Sequence, residues 1–442
     1  MPDAEAGGAR APVQDASVPK QLYGLFLVVF LEMWGAAMTV PVFQYFCMTH
    51  LGLTATYVGV IMASFNFAQL LGAPAVGRVS DAVGRRPALL GCFVWTAACF
   101  FVTAGVSTFV EMLVVRTVAG LSGGSIPITQ AMVMDATAPA SRPAVLGVMG
   151  GLLGLAFTIG PAVSVFAMAV ANFSRRWVFV VAAVFALAGC VVGGYVLQET
   201  LPEDKRRPLS SKSSTAVAED EQGVCGSLLS GPRALAWEIR GVWSPAMACI
   251  WVGRFCSSFA FLCLFSTYAF LIRDTFGWGD MQYGMILACS GVTAAGVQFL
   301  LYPRASKSLG KHAVFSLGSV CIAMYFVLLP YTTIVHPNVP LHVAIKLLFC
   351  TGSAFMDAGI PDLVGFHAPE DRMGFAQGLV TAFRSMASVA APLVAGRAYD
   401  ESPQTVYLLA ASIAFVGGIS VACAPMMSSH KRMGETAKLL SK

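Results

Sequence analysis

Charge is what this sequence lacks. Only 12% of its 442 residues are Asp, Glu, Lys or Arg, against about 25% in a soluble globular domain. A water-soluble fold of this length is excluded, because 57% hydrophobic residues and a mean hydropathy of +0.72 leave too little polar surface to cover the particle. Also missing are Cys-x-x-Cys and His-Glu-x-x-His motifs and any basic surface interleaved with aromatics. Those absences argue against a metal or redox centre, an intramembrane enzyme and a nucleic-acid binder, and no cofactor is implied. Most of the twelve cysteines fall in apolar segments, and Cys249, Cys256 and Cys263 recur every seven residues as a small-residue packing stripe on one helix. The first 20 residues are polar and hold no short apolar signal core, so the first hydrophobic run is expected to be a retained anchor.

Apolar length is what the chain has in abundance. A helix needs about 20 apolar residues to cross the hydrocarbon. Twelve runs qualify, over 21–46, 56–77, 87–105, 109–133, 144–169, 175–197, 243–272, 280–302, 312–334, 340–363, 373–396 and 404–426. The one long polar gap, from Glu199 to Arg240, contains Lys205-Arg206-Arg207, a serine-rich stretch at 210–215 and Glu219-Asp220-Glu221, the composition of a linker. The expectation is an all-α multi-pass membrane protein of twelve transmembrane helices in two six-helix parallel repeats. Its parts are an N-terminal segment (1–20), a first half (21–198), a linker (199–242), a second half (243–426) and a tail (427–442). Of the Lys and Arg residues, 20 fall on the side of the termini and linker and 4 on the other. Both termini are therefore expected in the cytoplasm.

The halves echo one another. Gly77-Arg78-Val79-Ser80-Asp81-Ala82-Val83-Gly84-Arg85-Arg86 returns 226 residues later as Pro303-Arg304-Ala305-Ser306-Lys307-Ser308-Leu309-Gly310-Lys311-His312. Pro139-x-x-Arg142 returns as Pro369-x-x-Arg372, and Gly160-Pro161 as Ala391-Pro392. Six helices repeated in parallel about a linker describe a transporter that encloses a site near the membrane midplane.

The stretch Ala73-Pro74-x-x-Gly77-x-x-Ser80-Asp81-x-x-Gly84-Arg85-Arg86-Pro87 resembles the signature between the second and third helices of the major facilitator superfamily. A carboxylate in such a turn is favoured near helix N-termini, and the arginines near acids or helix C-termini. The resemblance implies a conformational latch of Gly77, Asp81, Gly84, Arg85 and Arg86 with an acid at the end of the fourth helix, here Asp135. It narrows toward the twelve-helix drug:proton antiporters, including tetracycline efflux pumps, on Arg116-Thr117-Val118-Ala119-Gly120, on Glu199-Thr200-Leu201-Pro202-Glu203, and on Glu32, which stands where those pumps place an acid. Gly154 and Gly160-Pro161 resemble that group's fifth-helix signature, although Ala156 and Ser164-Val165 replace expected glycines. In the second copy of the loop Lys307 replaces Asp81, which predicts a latch that differs between halves.

Ionisable residues within spans mark a transport pathway. Glu32 is the expected proton carrier, because an ionised carboxylate in mid-helix is expensive. Arg116 is placed either to attend Glu32 or to bond a backbone carbonyl. Arg254, Asp357 and Arg384 are further pathway residues, and Lys346 is read as snorkelling toward a helix end. The expected function is proton-coupled export of a small amphipathic organic molecule by a monomer in the plasma or an endolysosomal membrane. Seven tryptophans and 30 phenylalanines suit an apolar or cationic substrate. The rivals are an uncoupled uniporter or importer on the same fold, favoured if Glu32 is dispensable, and a non-transporting receptor or adaptor, for which a long folded polar domain is the missing feature. Asn172-Phe173-Ser174 is a glycosylation sequon in a short loop, and Glu435-Thr436-Ala437-Lys438-Leu439-Leu440 resembles a dileucine sorting signal.

Overall fold

Helix is the only local structure that satisfies the backbone of such apolar segments in lipid. The computed structural model describes residues 19–138, 141–171, 174–206, 232–369 and 372–440. Within them twelve helices are long and apolar enough to cross a membrane: α1 (Gln21–Thr49), α2 (Ala55–Val83), α3 (Arg85–Gly105), α4 (Phe109–Ala136), α5 (Ala144–Val170), α6 (Arg175–Val196), α7 (Pro245–Phe276), α8 (Asp280–Leu309), α9 (Lys311–Val335), α10 (Val339–His367), α11 (Met373–Glu401) and α12 (Pro403–Met426). An even number of crossings brings the starts of α1 and α7 and the ends of α6 and α12 to one face, called here the terminal face; the opposite one is the distal face. A separate helix, Pro232–Val242, precedes α7. Asn172, Phe173 and the linker from 207 to 231 lie outside the described residues.

The two halves share most of their packing, although the second half also lays α9 closely on α10, where the first half has only a slight α3–α4 contact. In the first, α1 lies on α5 and α6, α3 on α6, and α2 on α4; in the second, α7 lies on α11 and α12, α9 on α12, and α8 on α10. Between halves, α2 packs on α11 and α5 on α8. The cysteine stripe of α7 serves packing as expected: Cys256 faces Gly417 of α12, where an added Cβ would stand 2.6 Å from the cysteine Cβ.

Three boundaries differ from the sequence reading. The expected connections at 77–87 and 303–312 are helical except at Gly84 and Gly310, whose φ of +113° and +86° put each chain reversal in one glycine. The run 109–133 is not one continuous helix, since turns at Ser122–Gly124 interrupt α4. Glycines bring α4 against α2 there, with a Cβ on Gly120 lying 2.3 Å from the Phe65 carbonyl oxygen. In α8 the segment Val297–Leu301 widens to a π-helix just before Pro303, which has no N–H to continue the ladder.

Candidate functional site

At the terminal face of the first half, Gly84 sets the geometry. Its positive φ turns the chain from α2 into α3, and a Cβ there would sit 2.4 Å from a Glu199 carboxylate oxygen. Arg85 is the hub: its guanidinium meets Asp81 at 2.6 Å, Asp135 at 3.2 Å and the Ser80 hydroxyl at 2.8 Å. One arginine thus ties the end of α2 to the end of α4, which joins Asp81, Gly84, Arg85 and Asp135 as the sequence suggested. Gly77 stands in open space. Arg86 donates to the Gly194 carbonyl of α6.

The carboxylate at the helix N-terminus is not Asp81. Glu199 accepts from the backbone N–H groups of Arg85 at 2.9 Å and Arg86 at 3.2 Å, and also from those of Thr200 and Leu201. Glu199 therefore caps α3, where unsatisfied N–H groups and the helix dipole favour an anion, while Asp81 is held by the guanidinium one turn away. Sequence spacing could not reveal this, because Glu199 is more than a hundred residues from the helix it caps.

Farther inside the bundle, Glu32 is 3% exposed in α1; one carboxylate oxygen is buried without a hydrogen-bond partner, and Cys92 of α3 lies within its electrostatic reach. Arg116 is not its partner. The Arg116 guanidinium lies 4.0 Å from the centre of the Phe43 ring, roughly 16 Å along α1 from Glu32 at 1.5 Å per residue, and two of its nitrogens are buried and unpaired. Lys346 does not snorkel. It is 8% exposed, with its ammonium 4.0 Å from the Tyr268 ring centre, 4.7 Å from Phe349 and 5.3 Å from Tyr325. Three ring faces hold this charge inside the second half.

Arg254, Asp357 and Arg384 do converge. Arg254 of α7 meets Asp357 of α10 at 2.7 Å; the arginine side chain is 9% exposed and the aspartate 58%. Arg384 of α11 is exposed and within electrostatic reach of both. The three lie about 15 Å from the terminal ends of their helices at 1.5 Å per residue.

The halves close on each other only toward the distal face. Among the described residues, the polar contacts between halves include Asp400 of α11 accepting from Thr54 and from the N–H groups of Ala55 and Thr56, Arg175 with Asp280 at 2.7 Å, Gln44 donating to the Phe265 carbonyl, Tyr45 donating to the Trp278 carbonyl at 2.8 Å and reaching the Ala269 carbonyl at 3.5 Å, and Asn66 donating to the Ser388 carbonyl at 2.9 Å. Two glycine seams run beside them. A Cβ on Gly59 would lie 2.2 Å from the Pro392 oxygen, and one on Gly284 would lie 2.3 Å from Val165 and 3.1 Å from the Pro161 oxygen. Toward the terminal face, by contrast, Gly147, Gly150, Gly151 and Gly154 of α5 are exposed with nothing within 4 Å of a Cβ. The bundle is thus shut at the distal face and open at the terminal one. Of the fifth-helix signature, Gly160 packs on Ala37 of α1, Ser164 donates to the Pro161 carbonyl at 2.9 Å, and Gly154 faces the opening.

A model of the Major Facilitator Superfamily matches residues 25–392 and, overlapping, 250–436. The chain is 26% identical over 356 residues to the human major facilitator superfamily domain-containing protein 10, covering 77% of this chain and 72% of that one. It is 24% identical over 379 residues to the class C tetracycline resistance protein of Escherichia coli, covering 85% and 89%. Among solved structures it resembles the human organic anion transporter MFSD10 (TM-score 0.66, 23% identity, 91% of this chain and 100% of that one) and, in fold, the nucleoside transporter NupG carrying the D323A substitution (TM-score 0.73, 14% identity, 91% and 99%).

Proposed function

The chain belongs to the Major Facilitator Superfamily, and from that premise we propose that it is a proton-coupled secondary transporter exporting small amphipathic organic molecules. The halves 21–198 and 243–426 rock about the seams α2–α11 and α5–α8, with 199–242 as their tether. The basic asymmetry of 20 against 4 supports placing both termini in the cytoplasm, which makes the state described above open to the cytoplasm. A monomer in the plasma or an endolysosomal membrane suits this reading.

The observation that carries proton coupling is the isolation of Glu32. It is a buried carboxyl with an unpaired oxygen and, among the described residues, no ion-pair partner. An ionised carboxylate left without a counter-charge in such a place costs several kcal/mol. The side chain can therefore hold its charge only when rocking of the half brings water or a cation to it. Proton uptake and release are thereby tied to the conformational cycle. Asp81, Arg85 and Asp135 bias that cycle from the terminal face without touching a central site.

Reconstitution into proteoliposomes, with a screen of amphipathic organic solutes in the presence and absence of an imposed pH gradient, tests the proposal. The wild type should accumulate substrate in response to the gradient. Glu32→Gln should lose that response and retain solute exchange at equilibrium. Gradient-driven accumulation by Glu32→Gln would reject Glu32 as the proton carrier, and gradient-independent transport by the wild type would leave a uniporter.

A further inference from the structure

We propose that Arg254, Asp357 and Arg384 form an anion-binding subsite on the wall of the cavity between the halves. It would take the carboxylate or other oxyanion of an amphipathic organic anion, with Asp357 as the resident counter-ion that the ligand displaces. The inference rests on the transporter reading above and deepens it by assigning the charge of the group recognised.

Placement comes first. Charged side chains in the middle of spans face a protein interior or water, not lipid. Asp357 is 58% exposed and Arg384 is exposed, so both are turned to the opening between the halves. Arg254 lies behind them, 9% exposed and held by Asp357 at 2.7 Å. The cluster thus holds two guanidiniums and one carboxylate, with Arg384 in electrostatic reach of the other two. A guanidinium presents a planar fork of five N–H donors, and Arg254–Asp357 accounts for few of the ten available. An incoming oxyanion can pair with Arg384 directly and compete with Asp357 for Arg254, exchanging one charge-assisted bond for another with no charge left stranded.

The surroundings fit an anion that also has an apolar body. Trp251, one turn before Arg254, stacks on Phe383, next to Arg384, with ring centres 5.8 Å apart and planes 11° from parallel. The buried indole N–H of Trp251 has no partner. The abundance of aromatic residues by itself suits a cation equally well, but four of the rings within the spans already face one of the protein's own. The Lys346 ammonium occupies the faces of Tyr268, Phe349 and Tyr325, and the Arg116 guanidinium covers Phe43. In the middle of the spans four basic residues, Arg116, Arg254, Lys346 and Arg384, stand against two acidic ones, Glu32 and Asp357.

The test is binding to the purified full-length protein, read as thermal stabilisation, with 2-naphthoate as probe and 2-naphthylmethylammonium and 2-naphthylmethanol as matched cationic and neutral controls. The expected result is stabilisation by naphthoate at concentrations at least several-fold below either control. Arg384→Gln should raise the naphthoate concentration required by about tenfold or more, as loss of a charge-assisted hydrogen bond implies. Arg384→Lys should keep the preference for the anion, and Asp357→Asn should lower the concentration required. Should Arg384→Gln fail to fold, Arg384→Lys and Asp357→Asn still decide the matter. Preference for the ammonium probe, equal response to all three probes, or no response to any at millimolar concentration overturns the proposal. Because the readout is binding, its failure is distinct from that of proton-coupled transport: gradient-driven transport that favours the ammonium sinks the subsite alone, and anion binding without gradient-driven transport sinks the coupling alone.

Discussion

The two halves share one backbone plan and differ in the chemistry at their terminal faces. Each turns from its second to its third helix on one glycine, Gly84 or Gly310, both at positive φ. In the first half the turn is locked by ions: Arg85 holds Asp81 and Asp135, and Glu199 caps the helix that follows. In the second half Lys307 stands where Asp81 does, and Lys311 where Arg85 does. There the corresponding ends are joined by His312 and His367 with ring nitrogens 2.8 Å apart, by Tyr302 donating to Asp362 at 2.7 Å, and by Lys311 reaching the Asp362 carbonyl at 3.5 Å. A duplicated fold keeps the glycine because the backbone reversal has no other inexpensive solution. The side chains around it are free to diverge.

Deeper in the bundle the comparison repeats. Arg116 of α4 lies over Phe43 of α1, with Cys99 of α3 in electrostatic reach. Lys346 of α10 lies over Tyr268 of α7 and Tyr325 of α9. Cys99 and Tyr325 correspond under the 226-residue offset of the two loops, Arg116 and Lys346 under the 230 residues that separate Pro139 from Pro369, and Phe43 and Tyr268 fall one residue out of register with the loop offset. A buried cation facing a ring of the half's first helix is thus common to both halves, and the second half encloses it in a fuller cage.

The largest effect should come from the glycine turns. Gly84→Val meets both a backbone conformation closed to branched residues and the Glu199 carboxylate, whereas Gly310→Val meets the conformation alone, since nothing lies within 4 Å of its Cβ. Backbone strain of that kind is worth about 1–3 kcal/mol. Melting of the detergent-purified variants should fall clearly further for Gly84→Val, and equal losses would refute a special role for Glu199.

Next come the seams. Gly59→Ala drives a methyl into the backbone oxygen of Pro392, while Gly284→Ala meets mainly the Val165 side chain, which can rotate. Gly59→Ala should therefore disfavour distal closure more strongly, and thiol labelling of a cysteine introduced near Asp400 should report it. If both variants label alike, the two seams are mechanically equivalent.

Asp81→Asn should lower turnover on the order of tenfold with little change in substrate binding, because Asp81 biases conformations from outside the cavity. Lys307→Ala should stay within about twofold of wild type, as expected of an exposed charge outside an ion-pair hub. Initial-rate transport at matched expression separates them, and equal turnover of wild type and Asp81→Asn would remove the latch role.

The smallest effect is expected in stability on replacing the buried cations. Arg116→Met and Lys346→Met exchange a desolvated charge for an apolar chain of similar length, a change often neutral or stabilising. Melting should stay unchanged or rise in both. A marked loss confined to Lys346→Met would show that its aromatic cage needs the ammonium to hold its shape.

The number of spans, the duplication and the meeting of Asp81, Arg85 and Asp135 were legible in the sequence. Membrane crossing is set by apolar length, a property of contiguous residues, and repeats preserve spacing along the chain. Gly84, Arg85 and Asp135 were readable because they belong to short motifs. Partnerships across the bundle were not. Glu199 capping α3, Arg116 resting on Phe43 instead of attending Glu32, Lys346 enclosed by three rings, and Arg384 brought beside Arg254 and Asp357 all join residues from different helices. Their meeting depends on how helices rotate and tilt against one another. In the membrane that orientation is decided by the close approach of small residues such as Gly59, Gly120 and Gly284, and only the packed tertiary structure reveals which faces they bring together.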